Sequence, residues 1–173
     1  MAETVTLKGQ AFTLKGNLVK EGQEAPQCEL VGGNLSSVKL SSFKGKALLL
    51  ISVPSLDTDV CSRETHRFNQ EIDKFKDQLS AVCVSMDLPF AQSRWCQLEG
   101  IKNVTVLSDY KNHEFGEKYG VLIPELGLLA RSVFLIDPNM KIQMVHLVKE
   151  VTQEPNYEII LEKINQLLKT THK

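Results

Sequence analysis

The sequence predicts an α/β fold: a central mixed β-sheet flanked by helices, with a small β-hairpin at its N-terminus. Three observations carry this. "ALLLISV" and "LSAVCVSM" are unbroken apolar runs, as strands buried on both faces require. The segment after each run has helical period, so strand and helix alternate. The chain then ends in a hairpin signal and one amphipathic helix.

Taken in order, "TVTLKG" and "AFTLKG" alternate around Gly9-Gln10 and predict the N-terminal hairpin. Their likeness is that of two hairpin arms, too short for a solenoid repeat. Beyond Gly32-Gly33, "SSVKLSSFKGK" reads as a strand and one helical turn. From Asp59 to Lys76, Val60, Glu64, Phe68, Ile72 and Phe75 recur every three or four residues, which predicts an amphipathic helix. "PFAQSRWCQLEG" is a short helix opened by Pro89 and closed near Gly100. "VTVL" adds a strand and "NHEFGEKYG" a short helix, and Asp137-Pro138-Asn139 turns "SVFLID" into "KIQMVHLV". "PNYEIILEKINQLLK" closes the chain as a helix starting at its proline. No linker or composition break divides residues 1–173, so one domain is expected.

Composition narrows the function classes. Apolar residues make up 42% and charged residues 24% of the 173, a globular balance. The net charge of −1 has no basic patch to steer the protein to nucleic acid or anionic lipid. The longest apolar run is far too short to span a bilayer. The first residues lack a basic flank followed by an apolar stretch, so no secretory signal is expected and the cytoplasm is the expected compartment. Cys28, Cys61, Cys83 and Cys96 are therefore expected to be reduced at rest. They form no C-x-x-C pair and have no histidine at ligand spacing, which argues against zinc.

Cys61 stands where the first long helix begins, in "VPSLDTDVCSRETHRF". A thiol reacts as its thiolate, and the unpaired N–H groups and positive dipole end of a helix favour that anion. Thr58 is one turn earlier and its hydroxyl is in reach of the sulfur. Pro54 restricts the loop and has no N–H, so it shields the sulfur without competing for it. Position alone leaves a reactive thiol and a packed one equally open.

"PSLDTDVC" resembles the active-site segment of the peroxiredoxins, and "DLPFAQSRWC" is similar to the segment that marks their thiol peroxidase branch, grouped with the atypical two-cysteine peroxiredoxins. The likeness extends through "FKGK", "GLLARSVFLID" and "EPNYE". The resemblance implies a thioredoxin-like fold and reduction of hydrogen peroxide and organic hydroperoxides without metal, haem or flavin. It implies that Cys61 is the peroxidatic cysteine, Thr58 its hydrogen-bond donor, Pro54 the shield and Arg131 the residue that holds thiolate and peroxide oxygen. It also implies Cys96 as the resolving partner in a Cys61–Cys96 disulfide, a thioredoxin-type reductant and a homodimer. Two thiols on separate helices must then approach by local unwinding, with Gln92, Ser93 and Arg94 as a mobile segment.

The remaining groups have plainer readings. Cys83 is core packing inside its strand and Cys28 has no partner signal. Without the resemblance, Cys96 beside Trp95 would read as a core cysteine. His66 lies off the face of Cys61, and Arg63 and Arg94 are expected to pair on the surface with Glu64 or Glu99. Asp59 is expected to point outward and cap the helix. Leu122, Ile123 and Leu126 are candidates for the apolar approach, with no role assigned. Two rival readings fit part of the sequence. "DTDV" resembles the paired aspartates of aspartyl phosphotransferases, but three residues separate Asp57 from the strand and no later acidic pair follows to hold magnesium. A redox sensor without turnover would use the same Cys61 chemistry.

Overall fold

The computed structural model describes residues 3–170, so residues 1–2 and 171–173 of the expected span lie outside the described residues. β1 (Thr4–Leu7) and β2 (Gln10–Thr13) form the N-terminal hairpin. Its turn is Lys8-Gly9, one residue earlier than the sequence predicts, because Lys8 (φ 51°) and Gly9 (φ 85°) supply the two left-handed positions of a two-residue turn.

β3 (Glu29–Val31), β4 (Ser37–Lys39) and a 3₁₀ turn at Leu40–Phe43 lead into β5 (Ala47–Ser52). Then come α1 (Asp59–Glu71), running on as a 3₁₀ turn over Ile72–Phe75, and β6 (Leu79–Ser85). α2 (Pro89–Glu99), β7 (Thr105–Ser108) and α3 (Glu114–Tyr119) follow. A small pair, β8 (Leu122–Ile123) and β9 (Leu128–Leu129), precedes β10 (Ser132–Ile136), β11 (Ile142–Leu147) and α4 (Tyr157–Thr170). α4 begins two residues after Pro155, and the Asn156 side chain accepts from the Ile159 N–H.

Seven strands make one sheet in the order β11-β10-β5-β6-β7-β3-β4. β6 pairs parallel to both β5 and β7, while β10 pairs antiparallel to β5, so the sheet is mixed as expected. Alternate residues of β5 feed two cores. Leu48 and Leu50 join Phe115, Tyr119 and the hairpin's Val5 and Phe12 on one face. Leu49 and Ile51 join Phe68, Ile72, Ile160 and Ile164 of the helical layer on the other. The sequence pattern left β3, β8 and β9 unmarked. They are two or three residues long, and β3 reaches β7 through the single pair Val31–Ser108, too little to print a period.

Candidate active site

The parallel β5–α1–β6 unit sets the N-terminus of α1 at the carboxyl end of β5, where open α/β sheets place their ligands. Val53 continues β5 by donating to the Val84 carbonyl at 3.0 Å, and the buried Pro54 ends the pairing. The chain then turns through Ser55 to Thr58. Thr58 is the helix cap: its backbone is extended (φ −88°, ψ 146°), and its Oγ1 accepts from the Cys61 N–H at 3.1 Å. The sequence assigned the cap to Asp59, but Asp59 is the first helical residue and points to solvent, so the half-extended position falls to Thr58. The threonine hydroxyl also takes a different partner from the expected sulfur, donating to the Ser55 carbonyl at 3.3 Å. It acts on Cys61 through the backbone.

Cys61 is 0% exposed, yet its sulfur has a cationic neighbour. Arg131, between β9 and β10, is 1% exposed and directs Nη2 to Cys61 Sγ at 3.3 Å. Nη1 donates to Glu64 Oε2 at 2.6 Å and Nε to the Val151 carbonyl at 3.0 Å, which fixes the guanidinium plane. A lysine could not satisfy three such directions at once.

Glu64 is the residue that sequence reasoning missed. It was expected at the surface beside Arg63 or Arg94, but it is 0% exposed and ion-paired to Arg131. Arg63 instead faces Glu154 at 3.8 Å, and Glu99 pairs with His66 at 2.9 Å. The signal was present: Glu64 occupies the apolar stripe of α1, and a charge in a buried stripe needs a buried partner. Burial pushes the Glu64 carboxyl from its usual 4.5 up to about 7, against the opposing pull of Arg131. Its Oε1 is buried without a hydrogen-bond partner. Burial also works against the charge of Arg131, but Glu64 and Cys61 outweigh it and hold the guanidinium above its ordinary pKa.

The other thiols are in apolar settings. Burial first, then the charge of Glu64, raises the Cys83 thiol well above its usual range, and Thr65 Oγ1 stands 4.0 Å from its sulfur. Cys28 is pushed up to about 12, chiefly by burial and then by Asp109. Cys96, half-buried on α2, is raised by burial. Cys61 and Cys96 are both free thiols on separate helices, and both pack into the α1 side of the core. Gln92, expected in a mobile segment, is instead an anchor: it is buried and donates to Ser85 Oγ at 3.0 Å and to the Leu107 carbonyl at 2.8 Å.

A cavity of about 190 Å³ opens onto this site. Pro54, Thr58 and Arg131 line it together with Leu7, Val60, Ile123, Leu126, Leu128, Val151 and Thr152. Two of the three residues offered for the apolar approach, Ile123 and Leu126, are there, and Leu122 is not among the lining residues. No group of three or more potential metal ligands occurs among the described residues.

The Redoxin family model matches residues 20–161. The thiol peroxidase of Oceanobacillus iheyensis is 46% identical over 162 residues, covering 94% of this chain and 98% of that protein. This chain belongs to the Redoxin family, in its thiol peroxidase branch. The thiol peroxidase of Bacillus subtilis is 45% identical over 169 residues, covering 98% of this chain and all of that one (100%). Among solved structures, a peroxiredoxin-like protein from Aquifex aeolicus superposes with a TM-score of 0.90 at 45% identity, covering 96% of this chain and 98% of its own. The Redoxin family's thioredoxin-like fold, implied by the motifs, is thereby borne out. Among the described residues no helix is long and apolar enough to cross a membrane.

Proposed function

We propose that this chain is a thiol-dependent peroxidase that reduces hydrogen peroxide and organic hydroperoxides at Cys61. One observation carries the reading: the Arg131 guanidinium, itself tied to Glu64, stands 3.3 Å from the buried Cys61 sulfur and also lines a largely apolar cavity. The Cys61 thiolate attacks the terminal peroxide oxygen. Sulfur gains that oxygen, the O–O bond breaks, and the leaving alkoxide or hydroxide takes a proton to depart as alcohol or water. Arg131 stabilises the sulfur anion and the charge that develops on the departing oxygen. The Thr58 cap holds the Cys61 N–H and so fixes the sulfur's direction, and Pro54 keeps water from it.

The sulfenic acid then condenses with the Cys96 thiol to give a Cys61–Cys96 disulfide and water. A thioredoxin-type dithiol reduces that bond by exchange. The same proposal takes residues 1–173 as one domain, acting in the cytoplasm as a homodimer. Its test is a thioredoxin-coupled assay with cumene hydroperoxide. Sustained, Cys61-dependent turnover supports the peroxidase, whereas a single oxidation without turnover would leave the sensor reading in its place.

A further inference from the structure

In the two-cysteine reading the Cys61–Cys96 bond forms by local unwinding, and Cys61, fully buried in the first turn of α1, comes free when α1 gives way at its start. The chain that would have to let go just before α1 is gripped by one side chain from the other cysteine's helix entry. Asp87 precedes α2 by two residues. Its Oδ1 accepts from Ser55 Oγ at 2.7 Å, and its Oδ2 accepts from the Leu56 N–H at 2.9 Å.

Asp87 is braced from behind. Ser85 Oγ donates to Oδ2 at 2.7 Å, the Ser108 hydroxyl donates to the Asp87 carbonyl at 2.5 Å, and Gln92 Nε2 holds Ser85 Oγ at 3.0 Å. On the far side, the Ser55 carbonyl accepts from both the N–H and the hydroxyl of Thr58, each at 3.3 Å, and Thr58 Oγ1 accepts from the Cys61 N–H. One line of hydrogen bonds therefore runs from Gln92 on α2 through Asp87 and Ser55 to the peroxidatic position. Bonds to a carboxylate are the stronger ones in such a line.

We infer that Asp87 is a positioning residue, a latch that holds the Cys61 loop closed for peroxide attack and must release it before Cys96 can resolve the sulfenic acid. The inference rests on the two-cysteine reading above. In the step it governs, the Cys96 sulfur attacks the Cys61 sulfur, the S–S bond forms, the S–O bond breaks, and the hydroxyl leaves with a proton as water. Peroxide has already supplied the oxidising equivalent, so no further oxidant enters. A tighter latch keeps the sulfenic acid buried for longer, where a second peroxide can take it to the sulfinic acid. A looser one favours the disulfide at the expense of a well-aimed thiolate.

The latch thus moves two rates in opposite directions. The test is stopped-flow fluorescence of Trp95, the single tryptophan and the neighbour of Cys96, on the full chain mixed with hydrogen peroxide. Wild type, Asp87→Ala, Asp87→Asn and Ser55→Ala are compared, with trapped sulfenic acid, disulfide and sulfinic acid assigned by mass spectrometry. Asp87→Ala is expected to slow peroxide attack several-fold, to speed disulfide closure roughly five- to tenfold, a shift of about 1–1.4 kcal/mol, and to lower the sulfinic fraction at high peroxide. Ser55→Ala, which removes one of the two grips, and Asp87→Asn, which keeps the shape and weakens the acceptor, are expected to shift both rates the same way by less.

If closure is unchanged or slower in all three variants while wild type forms its Cys61–Cys96 bond, the latch is overturned and the two-cysteine reading stands. If wild type forms no such bond, that reading fails and the latch fails with it. Should Asp87→Ala not fold, Asp87→Asn and Ser55→Ala still decide the sign.

Discussion

Cys61 and Cys83 are buried to the same degree, at 0% exposure, and both pack into the core cluster under α1. They differ in what the backbone puts beside them. Cys61 opens a helix, with Thr58 on its N–H and a guanidinium 3.3 Å from its sulfur. Cys83 lies mid-strand in β6, in register with Ile51 of β5 and Val106 of β7, with a neutral threonine hydroxyl at 4.0 Å. Burial, more than any neighbouring charge, raises the Cys83 thiol well above its usual range. The reactivity proposed for Cys61 rests on a buried cation that is costly to place, and Glu64 makes Arg131 tolerable there.

The comparison can be broken at its strongest point first. Cys61→Ser removes the proposed nucleophile and is expected to abolish peroxide turnover, whereas Cys83→Ala should leave the second-order rate with peroxide unchanged; coupled peroxidase assays of the two variants check both. Next in size, Arg131→Lys keeps the charge but loses the fork, and the rate of peroxide attack is expected to fall by about 10²–10³. A fully active lysine variant would remove the geometric part of the account.

Glu64→Gln sharpens the comparison by leaving Arg131 an acceptor while deleting the charge. A loss of about tenfold in peroxide attack is expected, equivalent to ~1.4 kcal/mol, measured by competition kinetics. The same variant carries a pH signature. Folding raises the Glu64 pKa from 4.5 to about 7, so the folded state binds this proton more tightly than the unfolded chain does. The stability this contributes is complete below about pH 4.5 and is lost as pH rises through 7. Urea unfolding of wild type and Glu64→Gln at a series of pH values is expected to show the wild-type advantage shrinking across that window. A constant difference would mean that Glu64 does not titrate there.

The smallest expected effect is at the cap. Thr58→Val removes the acceptor for the Cys61 N–H and should cost about 1 kcal/mol of stability, together with a several-fold slower attack. Thermal unfolding and stopped-flow kinetics report the two losses separately.

These differences explain which parts of the molecule were legible in the sequence. β5, β6 and α1 are long, strongly periodic segments, and their order already implies a helix start at the edge of a parallel pair. The place of Cys61 at that helix start follows from the pattern, while its proposed reactivity comes from the motif resemblance. Arg131 does not, because 70 residues separate it from Cys61 and only the motif resemblance connects them. Glu64 was misread because a glutamate near two arginines on a helix usually pairs at the surface. Its true partner comes from a distant strand entry. Gln92 and Asp87 were likewise invisible as anchors, since their partners belong to β6, β7 and the Ser55 loop, and long-range hydrogen bonds leave no local pattern. The cap moved from Asp59 to Thr58 for a smaller reason, a one-residue choice of where extended backbone ends.

The most direct test of the contrast between the two buried thiols is a non-reducing peptide map of the reduced protein after one equivalent of cumene hydroperoxide, with alkylation at the end of the reaction. A Cys61–Cys96 peptide, with Cys28 and Cys83 recovered as alkylated thiols, is the predicted result. Cys61 recovered as an alkylated thiol, or Cys83 found in the disulfide, would contradict the claim that the helix start and Arg131, rather than burial, select the reactive sulfur.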